Sequence, residues 1–250
     1  TRAWDWGLLR RPVVQAPHHS ASPAAVLGSV RSGQVIPGAV TLAHHGVLLL
    51  DEAPEFARPC LEGLRQPIET GRIALHRVGR QAVLPAQCQV VLTANPCPCG
   101  KAVGDGVECR CTPMARRRYA ERLSGPLMDR IDVRVEVSRP TAGELTQPAE
   151  ASSTVRERVR QARARSSHRF RDEPWSVNAS IPPEVLRSRY APTGDGSELL
   201  HRSFSSGASM RGIDRVLRMA WSVCDLAGAD RPTQAHVVTA LALRNAGGQS

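Results

Sequence analysis

The sequence predicts an α/β unit built on a parallel β-sheet, followed by an all-helical unit. Two short aliphatic runs, "GVLLL" and "CQVVL", have the length and the flanking residues of buried parallel strands. In the C-terminal part the apolar residues recur at helical spacing. We therefore expect an α/β domain at residues 1–139, a linker rich in Pro, Thr, Gly and Ser at 140–153, and a helical domain at 154–250.

The elements of the α/β domain follow from local patterns. Residues 11–40 are rich in Pro, Gly, Ser and His and predict a loop with one short helix near Pro23 to Gly28. The spacing in "PCLEGLRQPIETG" predicts one helix that Gly71 ends, and two alternating runs predict a β-hairpin from Gly71 to Pro85. "TPMARRRYAERL" predicts a helix capped by its Thr, and "RIDVRVEV" predicts a third strand.

The helical domain is expected to contain five helices. Their periodicity places them at residues 154–170, 182–190, 197–205, 210–227 and 233–244.

Composition narrows the class of partner. The 250-residue chain carries 33 Lys and Arg against 23 Asp and Glu, a formal net charge of +10. This charge indicates a polyanion such as nucleic acid or nucleotide phosphate, although a GC-rich genome alone also enriches Arg. No stretch reaches the ~20 apolar residues of a membrane helix and the chain begins without a signal-peptide core, so we expect a cytoplasmic protein without a membrane partner.

Both predicted strands of the sheet end in polar side chains. Asp51 and Glu52 end the first strand, and Asn95 follows the second. In an open parallel sheet ligands bind beyond the carboxyl ends of the strands, where Asp51 could hold Mg²⁺ through its water shell, Glu52 could polarise an attacking water and Asn95 could orient that water. The alternative is an acidic helix start and an Asn-Pro turn.

Basic residues outside this edge offer two further candidate sites. Arg130 precedes the third predicted strand, a position from which it could reach a phosphate on a neighbouring subunit; alternatively it belongs to a surface cluster of ion pairs. The predicted hairpin carries His76, Arg77 and Arg80 around its turn, where they could contact DNA phosphates or form an ordinary solvated tip. The paired histidines in "APHHSAS" and "LAHHG" are expected to make loop contacts, since neighbouring side chains diverge.

Four of the seven cysteines cluster within fifteen residues, as Cys97, Cys99, Cys109 and Cys111. Two close pairs of thiolates can surround Zn²⁺ tetrahedrally, although C-x-x-C is the usual spacing. Reduced structural thiols and a redox clip remain open as alternatives. The other three, Cys60, Cys88 and Cys224, lie in apolar surroundings and are expected in the core.

The chain resembles the magnesium-chelatase-like AAA+ ATPases, most closely the ComM/YifB family. The resemblance runs in order through "APHHSAS", "GAVTLAHHGVLLLDEAPEF", "LRQPIETG", "ANPCPCG", "CRC", "RRYAERLSGPLMDRIDVRVEV" and "SMRGIDRVLRMAWSVCDLAG". It implies a P-loop-type parallel sheet core followed by an all-α helical lid. It assigns Asp51 and Glu52 to the Walker B element, Asn95 to sensor 1, Arg130 to the arginine finger and Arg211 to sensor 2; from the sequence alone Arg211 is an ordinary cation at a helix start.

The resemblance also implies a function: a hexameric ring that hydrolyses ATP with Mg²⁺ and acts on single-stranded or branched DNA as a helicase in branch migration. In this group the hairpin before sensor 1 points into the pore of the ring. A magnesium-chelatase ATPase subunit is the alternative within the group.

One expected motif is missing from these residues. The phosphate-binding loop G-x-x-x-x-G-K-[ST] does not occur, since the Gly-Lys pair at Gly100 and Lys101 is followed by Ala and has no earlier Gly at the required spacing. The resemblance places that loop before "APHH", so the sheet core is expected to be incomplete at its N-terminus, in a fragment or a truncated copy. An inactive ATPase-derived module that binds DNA or joins a ring is therefore a further hypothesis.

Overall fold

A computed structural model describes residues 11–77, 80–104, 106–138, 140–205, 207 and 209–245. It divides between Arg130 and Ile131 into two compact units, each with its own apolar core. In chain order the first unit consists of β1 (Val14–Gln15), α1 (Pro23–Leu27), β2 (Gly28–Arg31), β3 (Gln34–Pro37), α2 (Ala39–Leu42), β4 (Val47–Leu50), α3 (Arg58–Gly63), α4 (Arg65–Thr70), β5 (Arg72–Arg77), β6 (Arg80–Pro85), β7 (Gln89–Leu92), α5 (Pro113–Ala120) and α6 (Gly125–Met128).

The sheet that positions the candidate site is parallel, with strand order β1-β4-β7. The central strand β4 places Leu48 and Leu50 fully inside the core, in one apolar cluster with Leu61 of α3 and with Leu64, which lies between α3 and α4. The register pairs Leu50 with Leu92, so both strands end at the same edge. The predicted α/β core on a parallel sheet is confirmed, but β7 is only half buried, because within the described residues it pairs with β4 alone.

Residues 11–40 contain more regular secondary structure than the sequence predicts. Besides the predicted helix α1, they contain β1 and the antiparallel hairpin of β2 and β3. Ser32 and Gly33 form the hairpin turn with φ of 48° and 79°, a left-handed conformation that matches the twist of a two-residue hairpin. The predicted hairpin of β5 and β6 is present.

The single helix expected from Pro59 to Gly71 is divided into α3 and α4. Pro67 has no backbone N–H to donate to the carbonyl four residues earlier, which weakens a continuous helix at this point. Gly71 ends α4 as expected, with φ of 65°.

The third predicted strand is wrong. Residues 130–137 form no strand, and Val135 and Val137 are 68% and 84% exposed. The Arg134 backbone N–H donates instead to the Leu243 carbonyl at 2.8 Å. Alternating apolar residues need a partner strand, and no described strand pairs with this segment.

The second unit is helical, as predicted. It consists of α7 (Ala142–Thr146), α8 (Ser152–Arg169), α9 (Pro183–Ser188), α10 (Gly194–Ser205), α11 (Met210–Ala227) and α12 (Gln234–Asn245). The amphipathic helix α11 contributes Val216, Leu217, Ala220 and Trp221 to the core. Among the helices that the structure describes, none is both long and apolar enough to cross a membrane.

Candidate active site

The carboxyl ends of β4 and β7 are joined through one hydroxyl group. Thr93 Oγ1 donates to Asp51 Oδ1 at 2.5 Å and accepts from the Glu52 backbone N–H at 3.0 Å. Backbone hydrogen bonds continue the pairing, from Thr93 N–H to the Leu50 carbonyl and from Ala53 N–H to the Thr93 carbonyl. The two acids are therefore held against the neighbouring strand and stay exposed at the sheet edge.

Glu52 has a backbone conformation that few residues adopt. Its φ of 53° and ψ of 47° are left-handed, and the Glu55 N–H closes the turn on its carbonyl at 2.8 Å. The Glu52 carboxylate lies 3.3 Å from His19 Nδ1. The turn follows the last residue of β4, Leu50, by two residues and so ends the extended backbone of that strand at the two acids.

Asn95 follows Thr93 by two residues and is exposed at the same edge. Its backbone N–H faces the phenol oxygen of Tyr119, a buried residue of α5. Burial raises the pKa of Tyr119, and the negative charges of Glu55 and Glu52 raise this pKa further. The Tyr119 phenol therefore stays uncharged between the Asn95 backbone and the acidic residues Glu52 and Glu55.

The donor set at this edge suits Mg²⁺ and an attacking water. Carboxylate, hydroxyl and amide oxygens are the hard ligands that Mg²⁺ and its water shell accept. Asp51 uses Oδ1 for Thr93, which leaves Oδ2 without a protein partner in the described part of the chain. The 250 residues contain no G-x-x-x-x-G-K-[ST] loop, the motif whose backbone and lysine bind nucleotide phosphates. The donor set described here therefore includes no phosphate-binding loop.

Arg130, the predicted arginine finger, is bound within its own unit. Its guanidinium forms hydrogen bonds with the Glu69 carboxylate and with the Pro126 carbonyl, and its side chain is only 14% exposed. The finger role stays a prediction, and in this conformation Arg130 is paired with Glu69.

The remaining predicted nucleotide and DNA residues are placed as follows. Arg211 lies exposed in the first turn of α11, in the second unit. His76 is exposed on β5, and the backbones of Arg77 and Arg80 pair across the hairpin. The side chains of Arg77 and Arg80 and the turn at residues 78–79 lie outside the described part, so DNA contact stays a prediction.

The four clustered cysteines come together after Asn95. Their sulfur atoms all lie within 4.8 Å of one another, and no cysteine of the chain is in a disulfide. Burial acts to raise the pKa of the Cys97 thiol, but hydrogen bonds from the Cys99 thiol and the Ala102 backbone outweigh it and lower this pKa to about 6. Of the three cysteines expected in the core, Cys60 and Cys224 are buried and Cys88 is half-buried.

Comparison with known proteins identifies the family. A family model described as magnesium chelatase, subunit ChlI, matches residues 4–145, more than half of the chain. The chain belongs to the magnesium-chelatase-like AAA+ family. A second family model, described as magnesium chelatase, subunit ChlI C-terminal, matches residues 149–244.

Three curated relatives place the chain with the ComM/YifB members of this family. An uncharacterized protein of Mycobacterium tuberculosis is 44% identical over 97% of this chain and 48% of its own length. YifB of Escherichia coli is 38% identical over 94% of this chain and 46% of its own. The competence protein ComM of Haemophilus influenzae is 35% identical over 92% and 44%. The chain thus spans about half the length of the curated relatives it matches.

Sequence reasoning missed four residues that contact the predicted site residues. These are Thr93 on Asp51, His19 on Glu52, Tyr119 beside Asn95, and Glu69 on Arg130. Thr93 could have been found, because it occupies in the second strand the position that Asp51 occupies in the first. The other three are distant in sequence and depend on tertiary packing.

Proposed function

We propose that this chain supplies the Walker B and sensor 1 side of an ATP-driven AAA+ motor of the ComM/YifB type, which hydrolyses ATP in a hexameric ring and moves DNA. The observation that supports this proposal most directly is the hydroxyl bridge of Thr93 between Asp51 and the Glu52 backbone. An acidic helix start would account for two adjacent acids, but it does not require a polar residue on the neighbouring strand to orient them.

In this proposal Asp51, Glu52 and Asn95 have separate roles in the hydrolytic step. Asp51 would hold the water shell of Mg²⁺ through its Oδ2, Glu52 would accept a proton from the attacking water, and Asn95 would orient that water. Mg²⁺ itself would neutralise charge on the phosphate oxygens. Arg130 would stabilise the charge that develops on a nucleotide bound by an adjacent subunit, once it leaves Glu69.

The proposal that DNA is the partner rests on family membership and on charge. One relative is named a competence protein, and the net charge of +10 favours a polyanion. The hairpin of β5 and β6 forms a two-stranded sheet separate from the parallel sheet, and it carries exposed His76 on β5. Phosphate contacts from this hairpin would give affinity without sequence specificity.

The test is DNA-stimulated ATP hydrolysis by the product of the whole open reading frame, including any G-x-x-x-x-G-K-[ST] encoded upstream. Glu52→Gln removes the proton acceptor and should lower kcat by about 100-fold or more. Glu55→Gln is the matched control, because Glu55 lies three residues away on the same exposed turn and pairs with Arg122 at 3.7 Å. Equal activity of the wild type and the Glu52 variant would overturn the assignment.

The same measurement separates the other candidate functions. An inactive module would bind DNA or join a ring of active subunits without hydrolysing ATP. A magnesium-chelatase subunit would hydrolyse ATP without stimulation by DNA and would drive Mg²⁺ into a porphyrin. Either result would contradict the DNA-motor proposal.

A further inference from the structure

We propose that Cys97, Cys99, Cys109 and Cys111 bind one structural Zn²⁺ that ties the segment after Asn95 to the start of α5. The proposal does not depend on ATP hydrolysis or on DNA binding, because it concerns how this loop is held.

The sulfur geometry fits a single tetrahedral ion. Zn–S bonds of about 2.3 Å give a tetrahedron with S–S edges of about 3.8 Å. In the structure the sulfur atoms are 3.4 Å apart for Cys97 and Cys99, 3.6 Å for Cys97 and Cys109, and 3.7 Å for Cys99 and Cys109. Since all four sulfur atoms lie within 4.8 Å of one another, a cluster of several iron atoms would not fit between them.

The backbone of the loop is shaped to bring the two Cys-x-Cys pairs together. After the first pair, Gly100 adopts a φ of 73° and its N–H donates to the Cys97 carbonyl at 3.0 Å. Before the second pair, Gly106 adopts a φ of 66° and its carbonyl accepts from the Cys109 N–H at 2.9 Å. Two left-handed turns that flank thiols make a preformed ligand set, which an unspecific group of reduced cysteines does not need.

Charge and coordination indicate a closed structural site. Four thiolates on one Zn²⁺ leave a net charge of −2. The loop contains Arg110 and also Lys101, which pairs with Glu108 at 4.0 Å, and α5 adds Arg116. Arg116 Nε donates to the Cys111 carbonyl at 3.3 Å, which places its guanidinium beside the second pair. With four protein ligands no coordination position remains for a reacting water, so the ion holds structure and performs no catalysis.

The position of the site explains what the ion would hold. Cys97 follows Asn95 by two residues, and Cys111 immediately precedes Thr112, whose Oγ1 accepts from the Ala115 N–H as the N-cap of α5. The ion therefore closes the loop between the sensor 1 segment and the helix that carries Tyr119. Its loss should loosen the backbone of Asn95 together with the first turn of α5.

The experiment measures metal content and thiol ligation on the full chain without an affinity tag. After dialysis against metal-free buffer we expect about one zinc per chain by inductively coupled plasma mass spectrometry. A mercurial thiol reagent should release that zinc to an indicator dye. Cys99→Ser, which changes an exposed ligand, should lose the zinc, whereas Cys88→Ala, which changes a cysteine outside the cluster, should keep it.

A second measurement covers the case in which the variant fails to fold. The unmodified chain is stripped of metal and loaded with Co²⁺, which should produce the intense visible bands and the thiolate-to-metal charge transfer of tetrahedral sulfur ligation. Three results would overturn the proposal. The first is negligible zinc together with a cobalt spectrum of octahedral oxygen ligation, and the second is iron in place of zinc. The third is an intact mass lower by two hydrogens for each pair of cysteines, which would show that the cluster forms disulfides.

Discussion

Arg130 donates two hydrogen bonds to Glu69 Oε2, from Nε at 3.0 Å and from Nη2 at 2.5 Å. A third, from Nη1 to the Pro126 carbonyl, measures 2.7 Å. A guanidinium with these partners and 14% exposure is held in one place. In the proposed role on a neighbouring subunit, Arg130 would have to exchange this carboxylate for a phosphate, and Glu69 would then compete with the nucleotide for Arg130.

Substitutions at the two ends of this ion pair are predicted to have different effects on catalysis. In the product of the whole reading frame, Arg130→Ala should lower DNA-stimulated ATP hydrolysis by about 1,000-fold, the scale of an arginine finger. Glu69→Gln leaves the Arg130 charge intact and weakens its tether, so it should keep or raise the rate. If both substitutions lowered kcat by the same factor, the pair would be structural only.

A mixture of the two inactive variants tests the proposed action between subunits. Arg130→Ala subunits keep Glu52, and Glu52→Gln subunits keep Arg130, so in the proposed ring an interface between the two variants would regain both groups. Hydrolysis should therefore recover when the two inactive variants are combined. A mixture that stays as inactive as its components would show that Arg130 acts within its own subunit.

Thr93→Val is predicted to weaken the Mg²⁺ binding that is proposed for Asp51. The valine side chain has nearly the same shape as threonine but leaves Asp51 Oδ1 and the Glu52 N–H without their shared partner. Groups that orient metal ligands typically contribute about 10- to 100-fold in metal affinity, so the Mg²⁺ concentration for half-maximal hydrolysis should rise by that factor. Thr93→Ser retains the hydroxyl and should behave as the wild type; if Thr93→Val did so too, Thr93 would not orient the metal-binding acid.

His44 is predicted to make the first unit less stable in mild acid. Its Nδ1 accepts from the Gln87 N–H at 3.2 Å, and burial, followed by the charge of His45, lowers its pKa below the ordinary 6.5. The unfolded chain therefore takes up a proton at a higher pH than the folded chain. The stability that neutral His44 contributes is complete above pH 6.5 and is lost as the pH falls below that value.

The matched variant for this prediction is His44→Asn, because Asn Oδ1 can accept the same hydrogen bond and does not titrate. Urea unfolding at about pH 7.5 and about pH 5.5 should show a larger fall in midpoint for the wild type than for His44→Asn. Equal falls in the two proteins would show that His44 does not carry the pH dependence.

The features predicted correctly from the sequence are those that local patterns specify. β4 and the polar ends of both sheet strands follow from short aliphatic runs with polar residues after them, and α11 follows from its regular apolar face. Thr112 and Pro113 mark the start of α5 because capping and the missing N–H of proline act within one turn.

The features predicted wrongly or missed depend on partners that a local pattern does not contain. The alternation in residues 130–137 is that of a strand, yet the Arg134 N–H donates to the carbonyl of Leu243 in the last helix. The β2 and β3 hairpin was missed because its strands are short and mostly exposed, so they carry little apolar alternation. The contacts of His19 with Glu52 and of Glu69 with Arg130 are likewise set by packing between distant segments.

Asp225 is predicted to be essential for the stability of the helical unit. It is 2% exposed and accepts from Arg169 at both oxygens, Oδ1 at 2.8 Å and Oδ2 at 2.7 Å, while Asn178 donates to Oδ2 at 3.0 Å. Arg169 also stacks on Trp221, with 4.2 Å from its Cζ to the ring centroid. Asp225→Ala would leave this guanidinium buried without a counter-charge and should cost about 3–5 kcal/mol in the free energy of unfolding.

Urea unfolding followed by far-ultraviolet circular dichroism tests this prediction. Glu157→Ala is the control on α8, because Glu157 pairs with Arg160 in solvent, where an ion pair contributes little. Asp225→Asn keeps the shape and one acceptor oxygen, so its loss should fall between those of the control and Asp225→Ala. If Asp225→Ala unfolded at the same urea concentration as Glu157→Ala, the packing of Arg169 on Trp221, and not the ion pair, would hold α8 to α11.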